Sequence, residues 1–313
     1  MAAPGTTTPT TTTTPTSLVR ATAMASPRTA TSRQGGQRRW PGPGAFLTYA
    51  ALLLLSVAFC LPFVWLVLSS LKPADEIYAG TWLPSRWMWS NYGDVFDAAP
   101  VLDWFLNTLL VTTLAVVAVV LSSSLVAYAF ARIRFPGRRP LFALVMGTYL
   151  LPGAVTLIPT FLIWNKLGAV NTFWPLWAGN LFGSAFYIFM LRQFMLTIPQ
   201  DLVDAARVDG AGFFRIYWNL MLPLVRPALV AVAIFEANAK WDDFMTPLIY
   251  LNNPDSYTFA LGLASMKESF KELGTQWSLL MAASVVFTVP MMVLFFLFQR
   301  YFMEGVTHSG IKG

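Results

Sequence analysis

Cysteine and histidine are nearly missing from this 313-residue chain, which holds one of each, Cys60 and His308. A lone cysteine forms no intrachain disulfide, and so few soft ligands exclude a metal centre built from them. Charge is scarce as well. Only 12% of residues are charged, against about a quarter in a soluble domain. No G-x-x-x-x-G-K-[ST] phosphate loop occurs, so the Gly-Gln pairs near Ser32–Gln37 are read as polar tail. Ser122, Ser123 and Ser124 have no histidine near them in sequence, which leaves no nucleophile–base motif. The expectation is a chain with no catalytic residue, no metal and no cofactor.

What fills the chain is apolar. Hydrophobic residues make up 56%, and mean hydropathy is +0.57. Six stretches approach the roughly 20 residues that a bilayer core requires: 46–71, 105–131, 141–164, 173–195, 224–250 and 277–301. Residues 1–44, rich in Thr, Pro and Arg, offer little to bury and are expected to be a disordered tail. The spans occupy 45–303, and 304–313 is a short C-terminal tail. The net charge of +6 could suggest nucleic acid, but its distribution marks membrane topology instead. Fifteen Lys and Arg fall in the two tails and in the connections after spans two and four, against five in the alternate connections. Positive residues mark the cytoplasmic side, so both termini are placed inside, in a multi-pass cell-membrane protein. The outer connection 72–104 carries Trp82, Trp87, Trp89 and Tyr92, which suit an interfacial belt or a docking surface for an external partner.

One inner connection is unusual. Asp201–Leu229 reads DLVDAARVDGAGFFRIYWNLMLPLVRPAL. Pro199 sets the start of a short amphipathic helix, Asp201 favours its first turn, and Gly210 is placed to end it left-handed. Ala205 and Ala206 leave a face with little bulk. A second helical piece, Phe213–Met221, is expected to stop at Pro223 and to offer Phe213, Phe214, Ile216 and Trp218 to a groove. Periodicity alone leaves a helix lying on lipid headgroups equally open.

The order of residues goes further. Asp204-Ala205-Ala206-Arg207-Val208-Asp209-Gly210-Ala211, followed by Leu222-Pro223 and Pro227, resembles the EAA loop of ABC-importer permeases. LPSRWMWSNYGDVF, ARIRFPGRR, KWDDFMTPLIY and the ending QRYFMEGVTHSGIKG resemble the maltose-type carbohydrate branch, over essentially all of 45–313. The resemblance implies an all-α permease of six transmembrane helices whose coupling loop, 199–223, docks on a cytoplasmic ATPase dimer. It further implies a second related permease and an extracytoplasmic sugar-binding protein, with no nucleic-acid partner. Asp204 stands where the family has Glu, and Asp242 where it usually has Asn.

Glu236, Asn238, Lys240, Asp242 and Asp243 lie in the fifth span and Asn180 in the fourth. Ionisable groups at such depth normally face protein or a water-filled cavity. All six are candidate pathway-lining residues, with two alternatives open. Glu236 and Lys240, four apart, could form a self-neutralising pair, and the asparagines could bond neighbouring helices. Pro152 and Pro159 are expected to bend the third span. A stand-alone secondary transporter or channel is the rival class, and it would need inverted repeats or an ion site in one chain; neither is evident.

Overall fold

The computed structural model describes residues 43–273 and 276–307. Of the tails expected over 1–44 and 304–313, only 43–44 and 304–307 are among them. The chain divides at Leu54 into two compact units. Of the first, only the opening turns of α1 (Pro43–Ser70) are described. All that follows concerns the second.

After α1 the chain makes a loop pinned at its base. The Met88 amide donates to Leu71 O at 2.9 Å, and the Asn91 side chain donates to Ser70 O and Lys72 O at 2.8 and 3.1 Å. The short α2 (Asn91–Ala98) leads into α3 (Val101–Arg132), the spine of the molecule. Asp103 lies in the first turn of α3 and Arg132 in the last, each suited to the helix dipole at its own end.

Gly137, at φ +79°, turns the chain into α4 (Arg138–Tyr149), and α5 (Gly153–Lys166) follows. The two meet at 97°. This is a break rather than the bend expected. Pro152 has no N–H to donate and disfavours helical geometry at Leu151, so it serves as the N-cap of α5, extended at ψ 135°. Pro159 sits inside α5 without interrupting it.

The fourth and fifth stretches are also interrupted. α6 (Trp174–Trp177) passes into a 3-10 turn, Ala178–Phe182, before α7 (Ala185–Thr197) begins. Gly183, at φ +80°, makes the junction, and a Cβ there would lie 3.3 Å from Ser123 Oγ. That hydroxyl accepts the Ser184 amide at 3.1 Å, replacing a ladder bond lost at the break. Beyond α7 come α8 (Gln200–Val208), α9 (Phe213–Ile216), α10 (Leu222–Leu224) and α11 (Arg226–Trp241). A break over 242–244 then precedes α12 (Met245–Tyr250), whose Thr246 amide donates to Asp243 Oδ1 at 3.0 Å. α13 (Phe259–Leu273) and α14 (Trp277–Thr307) complete the described chain.

Among the described residues three helices are individually long and apolar enough to cross a membrane, and up to six spans result if each bent pair counts as one. α3 packs against both α7 and α11. Its first turns hold the segment before α13. Trp104 Nε1 donates to Pro254 O at 2.9 Å, Asn107 to Asp255 O and Tyr257 O, and Thr108 Oγ1 accepts the Phe259 amide at 2.7 Å. Gly262 lets α13 close on Trp104, since a Cβ there would be 2.2 Å from the indole ring.

Candidate functional site

The EAA-like segment folds as two short helices around a glycine. Pro199, at ψ 136°, is the N-cap of α8, and Asp201 occupies its first turn. The helix closes in a Schellman arrangement: the Ala211 amide donates to Ala206 O at 2.9 Å and the Gly210 amide to Arg207 O at 2.9 Å, with Gly210 at φ +77°. No heavy atom lies within 4 Å of where a Gly210 Cβ would sit. Backbone conformation alone, not crowding, therefore demands glycine.

One face of α8 anchors and the other is free. Val203 is fully buried, and Ala206 and Ala211 pack against the same core. Leu202, Asp204, Ala205, Val208 and Asp209 are exposed. α9 continues as a π turn over Tyr217–Met221, in which the Leu222 amide donates to Tyr217 O. Pro223 follows within the last helical turn, so it does not end the helix as expected. The wide turn accommodates the proline, and the chain bends by 78° only at Val225. Phe213, Phe214 and Trp218 stand exposed, with the Phe214 and Trp218 rings nearly parallel at 6.5 Å. Ile216 is 1% exposed. It points into the core and is not offered to any groove.

What holds this segment is a polar row on α3. Ser124, Tyr128 and Arg132 are spaced four apart and so share one helix face. Ser124 Oγ and the Tyr217 hydroxyl are 2.8 Å apart, and the Tyr128 hydroxyl donates to Phe213 O at 3.0 Å. The Arg132 guanidinium donates to Met195 O, to Ile198 O and, at 2.7 Å, to Gln200 Oε1. These contacts bind the end of α7 to the start of α8. In the sequence Arg132 counts only among the positive residues of the connection after span two. The signal available was a Ser, a Tyr and an Arg at four-residue intervals on an otherwise apolar helix.

Asp204 turns back toward its own chain. Its Oδ1 accepts Arg207 Nη1 and Gln200 Nε2, both at 3.1 Å. It lines a cavity of about 560 Å³ with Arg132, Arg134, Arg138, Gln200 and Arg207.

The six pathway candidates fall into three pairs. Asn180 and Glu236 meet: the Asn180 amide group donates to Glu236 Oε1 and, at 3.2 Å, to Ala115 O, so it bridges α3 and α11. Glu236 is buried. Lys240 pairs not with Glu236 but with Asp243, at 3.9 Å. The helical i,i+4 pair does not form because Glu236 turns inward to Asn180, while the break after Trp241 brings Asp243 back under Lys240. Asn238 and Asp242 are exposed. They line a cavity of about 530 Å³ with Trp241, Phe287 and Met292. Among the described residues, no three His, Cys, Asp or Glu side chains cluster as a metal site would need.

Residues 101–308 match the model of the binding-protein-dependent transport system inner membrane component family. The chain is 35% identical over 257 residues to an arabinooligosaccharides transport system permease protein of Halalkalibacterium halodurans, covering 80% of this chain and 91% of that one. It is 32% identical over 270 residues to a diacetylchitobiose uptake system permease protein of Streptomyces coelicolor, covering 86% and 89%. In fold it resembles a chain of a bacterial ABC transporter involved in importing the acidic polysaccharide alginate, with TM-score 0.74, 21% identity, and 83% of this chain and 96% of that one covered. A multi-pass helical membrane chain, carrying a Schellman-capped EAA-like helix on a polar spine, thus belongs to the binding-protein-dependent transport system inner membrane components.

Proposed function

We propose that this chain forms part of the translocation pathway for a carbohydrate and that α8 couples it to a separate cytoplasmic ATPase dimer. A second related permease completes the pathway, and an extracytoplasmic sugar-binding protein delivers the solute. Both termini and the α8–α9 segment face the cytoplasm, in keeping with the arginine count. The observation that carries the reading is the free face of α8, backed by three α3 side chains bonded to α7, α8, α9 and the π turn. A knob held this way moves as a unit with its spine, so a shift imposed on α8 reaches α3 as well as α7 and α11. The sugar reading draws on the arabinooligosaccharide and diacetylchitobiose relatives. Asn238 and Asp242 beside Trp241 and Phe287 offer hydrogen-bonding groups next to aromatic surface, a mixture suited to hydroxylated rings.

The chain, expressed with its neighbouring subunits and purified, should retain a soluble ATPase, and deleting 204–212 should release it. Solute movement by the purified chain with no ATPase present would overturn the proposal in favour of a stand-alone transporter. For the solute itself, the sugar that raises the melting temperature of the accompanying binding protein identifies the class.

A further inference from the structure

Beside the coupling segment lies a second cavity of about 700 Å³, lined by Arg134, Gly137, Arg138, Arg139, Phe142 and Arg192 among others. Four guanidinium groups share it. Among the described residues none of the four has a carboxylate in ion-pair range, Asp204 being engaged with Arg207. Two of them are fixed by the protein: Arg192 donates to Phe130 O at 3.3 Å and lies 4.3 Å over the Phe142 ring, and Arg138 reaches Ile133 O and Ala131 O at 3.4 Å. Arg134 and Arg139 are exposed, with no such bond. Uncompensated like charges brought together in a fold are costly, and an anion between them offsets the repulsion.

The cavity does not open on a polar surface alone. α4 starts in its wall, and the next side chains along that helix, Leu141 and Leu144, are 47% and 66% exposed. No residue of α4 or α5 is buried. A ligand seated here meets guanidinium groups at one end and an open aliphatic track at the other.

We propose that this cavity binds the headgroup of an anionic phospholipid, with an acyl chain lying along α4. Basic pockets between membrane helices take such headgroups, each arginine contributing on the order of fivefold in affinity. The apolar track favours a lipid over free phosphate. The site shares Arg134 and Arg138 with the cavity lined by Asp204, but includes no residue of α8 and does not require the ATPase.

The test uses the full-length chain in a neutral detergent, titrated with phosphatidylglycerol, phosphatidylcholine or inorganic phosphate while its melting temperature is followed. Phosphatidylglycerol should raise the melting temperature and the other two should not. The R134Q/R139Q variant, which removes only the two arginines without structural bonds, should need about 25-fold more phosphatidylglycerol for half the effect. R134K/R139K should stay close to wild type. An unchanged phosphatidylglycerol response in R134Q/R139Q overturns the proposal, as does an equal response to inorganic phosphate. So does a wild type indifferent to phosphatidylglycerol whose R134Q/R139Q variant instead loses a co-purifying ATPase, which would assign the cavity to an acidic protein surface.

Discussion

α3 and the broken pair α4–α5 are both apolar membrane segments, yet they are used in opposite ways. α3 buries residues along its whole length, from Val101 to Arg132, while α4 and α5 bury none. The side chains account for the difference. The buried positions of α3 include Thr112, Ala115, Ala118 and Ala127, small residues that let other helices approach, and Thr108, Ser123 and Ser124, whose hydroxyls bond other segments. α5 presents Val155, Ile158, Leu162 and Ile163, bulky and each more than half exposed among the described residues. Small and hydroxylated residues build the spine within the chain. Large aliphatic residues mark the surface whose neighbours come from outside it.

The largest expected effect is at Arg132. Arg132→Met keeps much of the aliphatic stem but leaves Met195 O, Ile198 O and Gln200 Oε1 without their donor. Bonds to a charged donor contribute about 1.5–3 kcal/mol each, although Met195 O keeps the Ile198 amide at 3.4 Å. The expectation is a destabilisation of about 3 kcal/mol or more, concentrated at the α7–α8 junction. Hydrogen exchange should show the α8 amides opening far faster while those of mid-α3 are little changed, and coupled transport should fall with ATPase still bound. Equal protection of α8 in the variant would mean that the spine does not hold the knob.

At the opposite end of α3, Gly262→Ala pushes a methyl into the Trp104 ring, 2.2 Å away. Overpacking of this kind costs about 1–3 kcal/mol. The ring is tied to Pro254 O through its indole N–H, so yielding there also strains that bond. Thermal unfolding in detergent should register the loss, without the selective exposure of α8 predicted for Arg132→Met. A smaller effect is expected at Gly210, where space is open and only φ +77° is demanding. Gly210→Ala should cost about 1 kcal/mol and Gly210→Asn less, since asparagine tolerates the left-handed region. Ordering the two by melting temperature checks that conformation, not bulk, is the restriction.

Much of this contrast was legible in the residues. The apolar runs, the left-handed end of α8 at Gly210 and the EAA-like order are local properties, and local reasoning reaches them. The interruptions were harder. Gly183 needs φ +80° because α7 restarts against Ser123 of another helix, and no pattern within 173–195 declares that. Glu236 shows the same thing from the other side: helical spacing offered Lys240, and a tertiary partner, Asn180, prevailed. Pro223 departs from expectation because the π turn over 217–221 accommodates it, whereas Ile216, two residues from both Phe214 and Trp218, lies across the helix from them by ordinary helical spacing. Long-range bonds decided the points at Gly183 and Glu236, and a single sequence does not display them.

The smallest effect tests the outward-facing half of the contrast. Ile158 on α5 is 65% exposed, so Ile158→Ala in the chain alone removes contacts with detergent or lipid rather than with protein. Its stability, read from thermal unfolding, should change by no more than about 0.5 kcal/mol, the range of surface substitutions. In the assembled transporter the same substitution separates two neighbours. Against lipid the effect stays as small, because one aliphatic surface replaces another. Against a second permease, packed contacts are lost and the cost rises toward about 2 kcal/mol. A large loss already in the isolated chain would contradict the contrast itself, because this outward face of α5 would then have a partner within its own fold.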